Sequence, residues 1–137
     1  MYTHIMVPVD LAHVGTLDKA LRTAADLAKH YSCDVTYVGV SASTPGSVAH
    51  NPQEFARKLE DFAAAQGALH GQASRAHPVI SHDPTVDLDA TLLRTVDELG
   101  ADLVVMQSHL PNITDYIWPS NGGTIATRSR ASVLVVR

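Results

Sequence analysis

Five short apolar runs rich in β-branched residues alternate along this chain with stretches in which apolar residues return every three or four positions. That alternation is the tightest constraint the sequence carries. Each crossover helix must return the chain to the same end of the sheet, and right-handed crossovers place helices on both faces. The chain therefore reads as α/β, with a five-stranded parallel sheet. Ile5-Met6-Val7-Pro8-Val9, closed by Asp10, is the first strand, and Pro8 is tolerable because the ladder is finishing there. Val35, Tyr37-Val38 and Val40 mark the second, and Val79-Ile80 anchors a short third within residues 77–82. Leu103 to Met106 and Ser132 to Val136 are the fourth and fifth.

Between them, Leu17, Leu21, Ala24, Ala28 and Tyr31 form one helical face, and Phe55, Leu59, Phe62, Gln66 and Leu69 another. Asp83-Pro84 opens a third helix with a cap and an early proline, Leu88, Leu92, Val96 and Leu99 are its stripe, and Gly100 closes it. Residues 121–130 make a short fourth helix, while residues 41–52 and 107–120 carry no period and read as loops. At 137 residues, against about 150 per domain, the expectation is one domain over residues 1–137.

Composition removes several classes of function. Ten Lys/Arg against fourteen Asp/Glu leave a formal charge of −4, which offers no general attraction to nucleic acid or to anionic membranes. No apolar run approaches the about 20 residues that span a bilayer. Cys33 is the only cysteine, so it can form no internal disulfide or Cys-x-x-Cys site, and it reads as a small buried filler at a helix-to-strand junction. With no basic leader at the start, the expected compartment is the cytoplasm. Eight histidines invite a metal proposal, but His4, His13, His30, His50 and His70 fall in separate elements, and His77 and His82 would point to opposite faces of a regular strand. No metal site is expected.

In parallel sheets of this kind, ligands sit beyond the carboxyl ends of the strands where the order reverses. The places to search are Val9-Asp10, Val40-Ser41, Ser81-His82 and residues 106–121, with strands one and four flanking the switch point.

Three blocks carry a resemblance: Ile5-Met6-Val7-Pro8-Val9-Asp10, Leu99-Gly100-Ala101-Asp102-Leu103-Val104-Val105-Met106, and the closing Ser132-Val133-Leu134-Val135-Val136-Arg137. The chain resembles the universal stress proteins essentially end to end, most weakly across residues 41–80. Ser108-His109-x-Pro111-x-Ile113-Thr114-x-Tyr116-x-x-x-Ser120-Asn121 is similar to the F/G-type branch of single-domain bacterial members. The resemblance implies sheet order 3-2-1-4-5 and, as in one large subgroup, ATP with its Mg²⁺ at the switch point. It carries the ribose and adenine contacts to Asp10 and the Val40 backbone, with Pro8, Val9 and Met106 beside them in the nucleotide site. The loop that would take the phosphates begins at Gln107, passes Ser108, His109 and Leu110, and resumes at Pro119, Ser120 and Asn121.

The subgroup's phosphate loop uses three glycines, here replaced by Gln107, Leu110 and Pro119. Glycine lets backbone N–H groups approach phosphate oxygens, and Pro119 has no N–H to donate. The F/G-type branch also lacks the first two. Ser120, before a helix opened by Asn121 and Gly122-Gly123, retains a hydroxyl and amides suited to an anion.

Several residues have two readings. Asp10 either caps the turn into the first helix or meets a ribose; His109 is a solvated loop histidine or a ligand; Ser120-Asn121 is an N-cap, an anion contact or both. Trp118 reads as a packing or interface anchor rather than a base-stacking platform. No nucleophile with a placed base and no Gly-Lys-Ser/Thr loop is evident, so catalysis beyond slow ATP cleavage is not expected. Two functions follow from different classes: a nucleotide-binding stress-response protein, or a nucleotide-independent homodimeric interaction module. For the second, the resemblance implies dimers that pair their last strands, and Val133, Leu134, Val135 and Val136 support it, because an apolar edge strand is a liability unless covered or paired.

Overall fold

Strand β1 (His4–Pro8) is buried from Ile5 onward because a central parallel strand is covered on both faces and presents apolar side chains to each. The computed structural model, which describes residues 1–108 and 121–137, continues from it in regular alternation. A 3-10 segment (Leu11–Thr16) leads into α1 (Asp18–Tyr31), then β2 (Asp34–Ala42), α2 (Pro52–His70) and β3 (Ser74–Ser81). Helix α3 (Pro84–Leu99), β4 (Leu103–Gln107), α4 (Asn121–Arg128) and β5 (Ser132–Val136) complete it. The strands are parallel and lie in the order β3-β2-β1-β4-β5, as the resemblance implied.

Alternate strand residues feed two cores. Ile5, Val7 and Val105 pack with Leu21 and Ala24 of α1 and Phe55 and Leu59 of α2 on one face. Met6, Val38 and Val104 pack with Leu92 and Val96 of α3 and Ile125 of α4 on the other. The block around Gly100 is a fastener between β4 and β1. Gly100, at φ 64°, ends α3 in the left-handed conformation, which glycine adopts without steric cost. The next turn brings Asp102 to the start of β1, where its carboxylate accepts the N–H groups of Thr3 and His4 and the Thr3 hydroxyl. Burial alone would raise that carboxyl's pKa, but these hydrogen bonds outweigh it and hold it below the usual aspartate value.

Four expectations need correction. Strand β3 is longer than residues 77–82: its pairing with β2 runs from Val35↔Ser74 to Ala42↔Ser81, so the ladder extends over residues with no apolar pattern. Residues 11–16, unassigned from the sequence, wind into the 3-10 segment. Leu69, placed on the apolar stripe of α2, is 73% exposed. The buried row Phe55-Leu59-Ala63 advances about 40° around the axis with each step of four, and by the last turn Leu69 has left it. Cys33 is only half-buried, although burial, followed by the nearby Asp102 and Asp34 carboxylates, pushes its thiol pKa up.

Candidate functional site

The order reverses at β1, which lies between β2 and β4, so the carboxyl ends of these strands form the switch point. Pro8 is the last residue of β1 and pairs with Val38. Past it, Val9 donates its N–H to the Val38 carbonyl at 2.8 Å, and then the chain turns away. Backbone groups alternate sides along a strand, so the Val40 N–H and C=O point the same way as that carbonyl, past the end of β1.

Asp10 follows immediately and is 4% exposed. Both of its carboxylate oxygens already hold a donor. Oδ1 accepts the Ala12 N–H at 3.0 Å, which caps the 3-10 segment, and Oδ2 meets His13 Nδ1 at 2.8 Å. The capping reading of Asp10 is therefore correct as geometry. His13, one of the histidines that fall in separate elements, is not part of the cavity lining but contacts the Asp10 carboxylate that is. The three-residue spacing from Asp10, one turn of helix, was the available signal.

A cavity of about 300 Å³ opens here, at the lower end of the about 300–1,000 Å³ usual for small-molecule sites. Val9, Asp10 and Leu11 form one wall, Val40 to Ala42 and Phe55 another, and the loop from Thr44 to Ala49 closes the outside. Most of these side chains are apolar. The loop is held by a Gly46 N–H to Ala49 carbonyl turn at 2.9 Å and by Lys58, whose Nζ donates to the Val48 carbonyl and pairs with Glu54 at 3.3 Å. Glu54 has a lowered pKa, first because it accepts the His50 N–H and then through Lys58. Residues 41–52 read as a loop from the sequence, with only Ser41 among the places to search; Ser41 and Ala42 in fact end β2, and the Ser-, Pro- and Gly-rich stretch after them supplies this wall.

The described lining of this cavity comes from the ends of β1 and β2 and the loop after β2, while most of the loop after β4, on the other side of the expected β1–β4 crevice, lies outside the described residues. On the β4 side, Met106 is buried in the core beneath α3 and α4. Gln107 is 9% exposed, and its Oε1 has no hydrogen-bond partner among the described residues. Ser108 donates its N–H to the Val136 carbonyl at 2.6 Å, which continues the β4–β5 ladder. His109, Leu110, Trp118, Pro119 and Ser120 lie outside the described residues; Asn121 begins α4. Val133, Leu134, Val135 and Val136 form β5 at the edge of the sheet. Val136 is buried and Leu134 is 38% exposed. Among the described residues no group of three or more His, Cys, Asp or Glu is placed to hold a metal ion, and no helix is long and apolar enough to cross a membrane.

Comparison with known proteins agrees with this architecture. The model of the universal stress protein family matches residues 1–137. The chain belongs to the universal stress protein family. Universal stress protein G of Shigella flexneri is 30% identical over 148 aligned positions covering 100% of both chains, in keeping with the F/G-type resemblance. Among solved structures, a universal stress protein from Burkholderia pseudomallei superposes with a TM-score of 0.71 at 24% identity, over 98% of this chain and 96% of that one. The universal stress protein from Archaeoglobus fulgidus in complex with dAMP gives 0.69 at 19% identity, over 99% and 98% of the two chains.

Proposed function

We propose that this chain is a cytoplasmic stress protein that binds an adenine nucleotide at the carboxyl ends of β1 and β2, its state following nucleotide occupancy rather than catalysis. One observation carries the reading: the buried Asp10 carboxylate, the Val40 backbone and the apolar cavity meet at one point. A purine needs apolar cover for its faces and a backbone edge for its nitrogens, and a ribose diol needs an acceptor such as a carboxylate. Pro8, Val9, Asp10 and Val40 would serve the adenosine end, and Met106, Gln107 and Ser108 the wall at β4. His109, Leu110, Ser120 and Asn121 are assigned to the phosphates by resemblance alone. Mg²⁺ would enter with ATP's own phosphates, since no group of three or more His, Cys, Asp or Glu is placed to hold a metal ion among the described residues. The complex of the Archaeoglobus fulgidus relative with dAMP, a 2′-deoxynucleotide, supports adenine as the base of the ligand and says nothing for a ribose. Isothermal titration with AMP and Mg-ATP is the test. No heat at a protein concentration of about 100 µM would mean a Kd above about 1 mM and would end the nucleotide reading.

A second reading has its own observation. The two sheet edges differ: β3 carries Arg75, His77 and Pro78, residues that discourage edge pairing, while β5 is Ser-Val-Leu-Val-Val. Homodimerisation through β5 fits that asymmetry, and it holds whether or not a nucleotide binds. Leu134→Lys should then shift the mass measured by light scattering from dimer to monomer, and an unchanged mass would exclude this interface.

A further inference from the structure

The carboxylate at the centre of the proposed site is not free to adopt any orientation. Ala12 N–H approaches Oδ1 and His13 Nδ1 approaches Oδ2, so a separate donor fixes each oxygen. A carboxylate oxygen accepts, so Nδ1 carries the proton in this contact. The ring is held in turn by its backbone. His13 donates its N–H to the Asp10 carbonyl at 3.0 Å, and its own carbonyl accepts the Thr16 hydroxyl at 2.8 Å. At φ −132° and ψ 39° the residue leaves the helical path of its segment, which turns the ring back onto Asp10 rather than along the turn. The pair is built in: the Asp10 side chain is 2% exposed and that of His13 is 19% exposed.

A carboxylate offers about four lone-pair directions, and two are taken here. We infer that His13 is a positioning residue for sugar recognition. Through Nδ1–H it orients the Asp10 carboxylate so that the remaining lone pairs meet the vicinal diol of a ribonucleotide, and this sets a preference for ribo- over 2′-deoxyribonucleotides. The inference rests on the adenine-nucleotide reading and deepens it. A rotating carboxylate would accept one hydroxyl as readily as two, whereas a fixed one rewards the second hydroxyl.

The test is calorimetric titration of the whole protein with AMP and with 2′-deoxy-AMP, for the wild type, His13→Ala, His13→Phe and His13→Asn. The wild type should favour AMP by about tenfold, the ratio expected of one hydrogen bond to a charged group. His13→Ala should lose most of its AMP affinity advantage and little of its affinity for the deoxynucleotide, so that the ratio falls toward one. His13→Asn, whose Nδ2–H replaces the lost donor, should restore it. If the alanine variant fails to fold by circular dichroism, His13→Phe keeps the ring and removes the donor, and it carries the same expectation. A ratio unchanged in the donor-free variants, or a wild type that binds both nucleotides equally, overturns the role of His13 and leaves nucleotide binding standing. No binding of AMP by the wild type overturns both.

Discussion

Gly39 lies in β2 directly beneath α2, and replacing it with alanine tests whether that helix packing shapes the cavity. A Cβ at this position would fall 2.8 Å from Phe55 Cζ, 3.2 Å from Phe55 Cε1 and 3.2 Å from Leu59 Cδ2. To regain a separation of about 3.5 Å the Phe55 ring must retreat by about 0.7 Å. Leu59 is wholly enclosed, but Phe55 borders the cavity, so the ring has somewhere to go and the cavity loses the space it takes. Overpacking typically costs about 1–3 kcal/mol. Alanine returns about 0.4–1 kcal/mol by restricting the unfolded chain, since Gly39 does not occupy the left-handed region. The expected net destabilisation is about 1 kcal/mol, or a fall in Tm of about 4 °C for a chain of this size. Phe55→Leu shortens the clashing side chain, so the double variant should be more stable than the sum of the single effects by at least about 0.5 kcal/mol. AMP affinity should fall in Gly39→Ala. If Gly39→Ala melts no lower than wild type and its effect adds to that of Phe55→Leu, α2 does not rest on Gly39 and the reasoning fails.

Three further outcomes follow from other contacts. Asp102→Ala should cost about 1–3 kcal/mol through the lost hydrogen bonds to His4 and Thr3. Because the folded pKa of Asp102 is depressed, its contribution is complete above the ordinary value of about 3.9 and disappears as pH falls through the lower folded value, so acid denaturation curves of the variant should be flatter there than those of wild type. Lys58→Met removes the anchor of the Val48 carbonyl and should speed proteolytic nicking within residues 43–51; an unchanged cleavage rate would mean the loop is held by other contacts. With glutamine, leucine and proline at the glycine positions, AMP and Mg-ATP should bind within about tenfold of each other by titration, and a much larger advantage for ATP would show that the phosphates dominate.

The sheet was legible because its central strands are buried on both faces and therefore apolar throughout: β1 and β4 stand out as unbroken runs. Edge strand β3 hid its start because one edge meets solvent, so Ser74 to Ala76 owe their conformation to pairing with β2 rather than to their own side chains. The site divided in the same way. Asp10 could be singled out because a strand end in a parallel sheet is a predictable place. His13 and the Thr44 to Ala49 wall could not, because a six-residue 3-10 segment kinked at His13 and a loop leave no period in the sequence.

Asp10 also shows why capping and ligand binding should not be treated as rivals. A carboxylate that did nothing for the fold would sit solvated and mobile at a strand end, and a bound sugar would have to bear the whole cost of ordering it. Here the Ala12 N–H and the His13 ring have ordered it before any ligand arrives, so the contacts that stabilise the turn also fix the acceptor. Under the proposed function, with Gln107, Leu110 and Pro119 at the positions where the resemblance places phosphate-loop glycines, a preordered acceptor at Asp10 would be the part of the site still able to supply specificity.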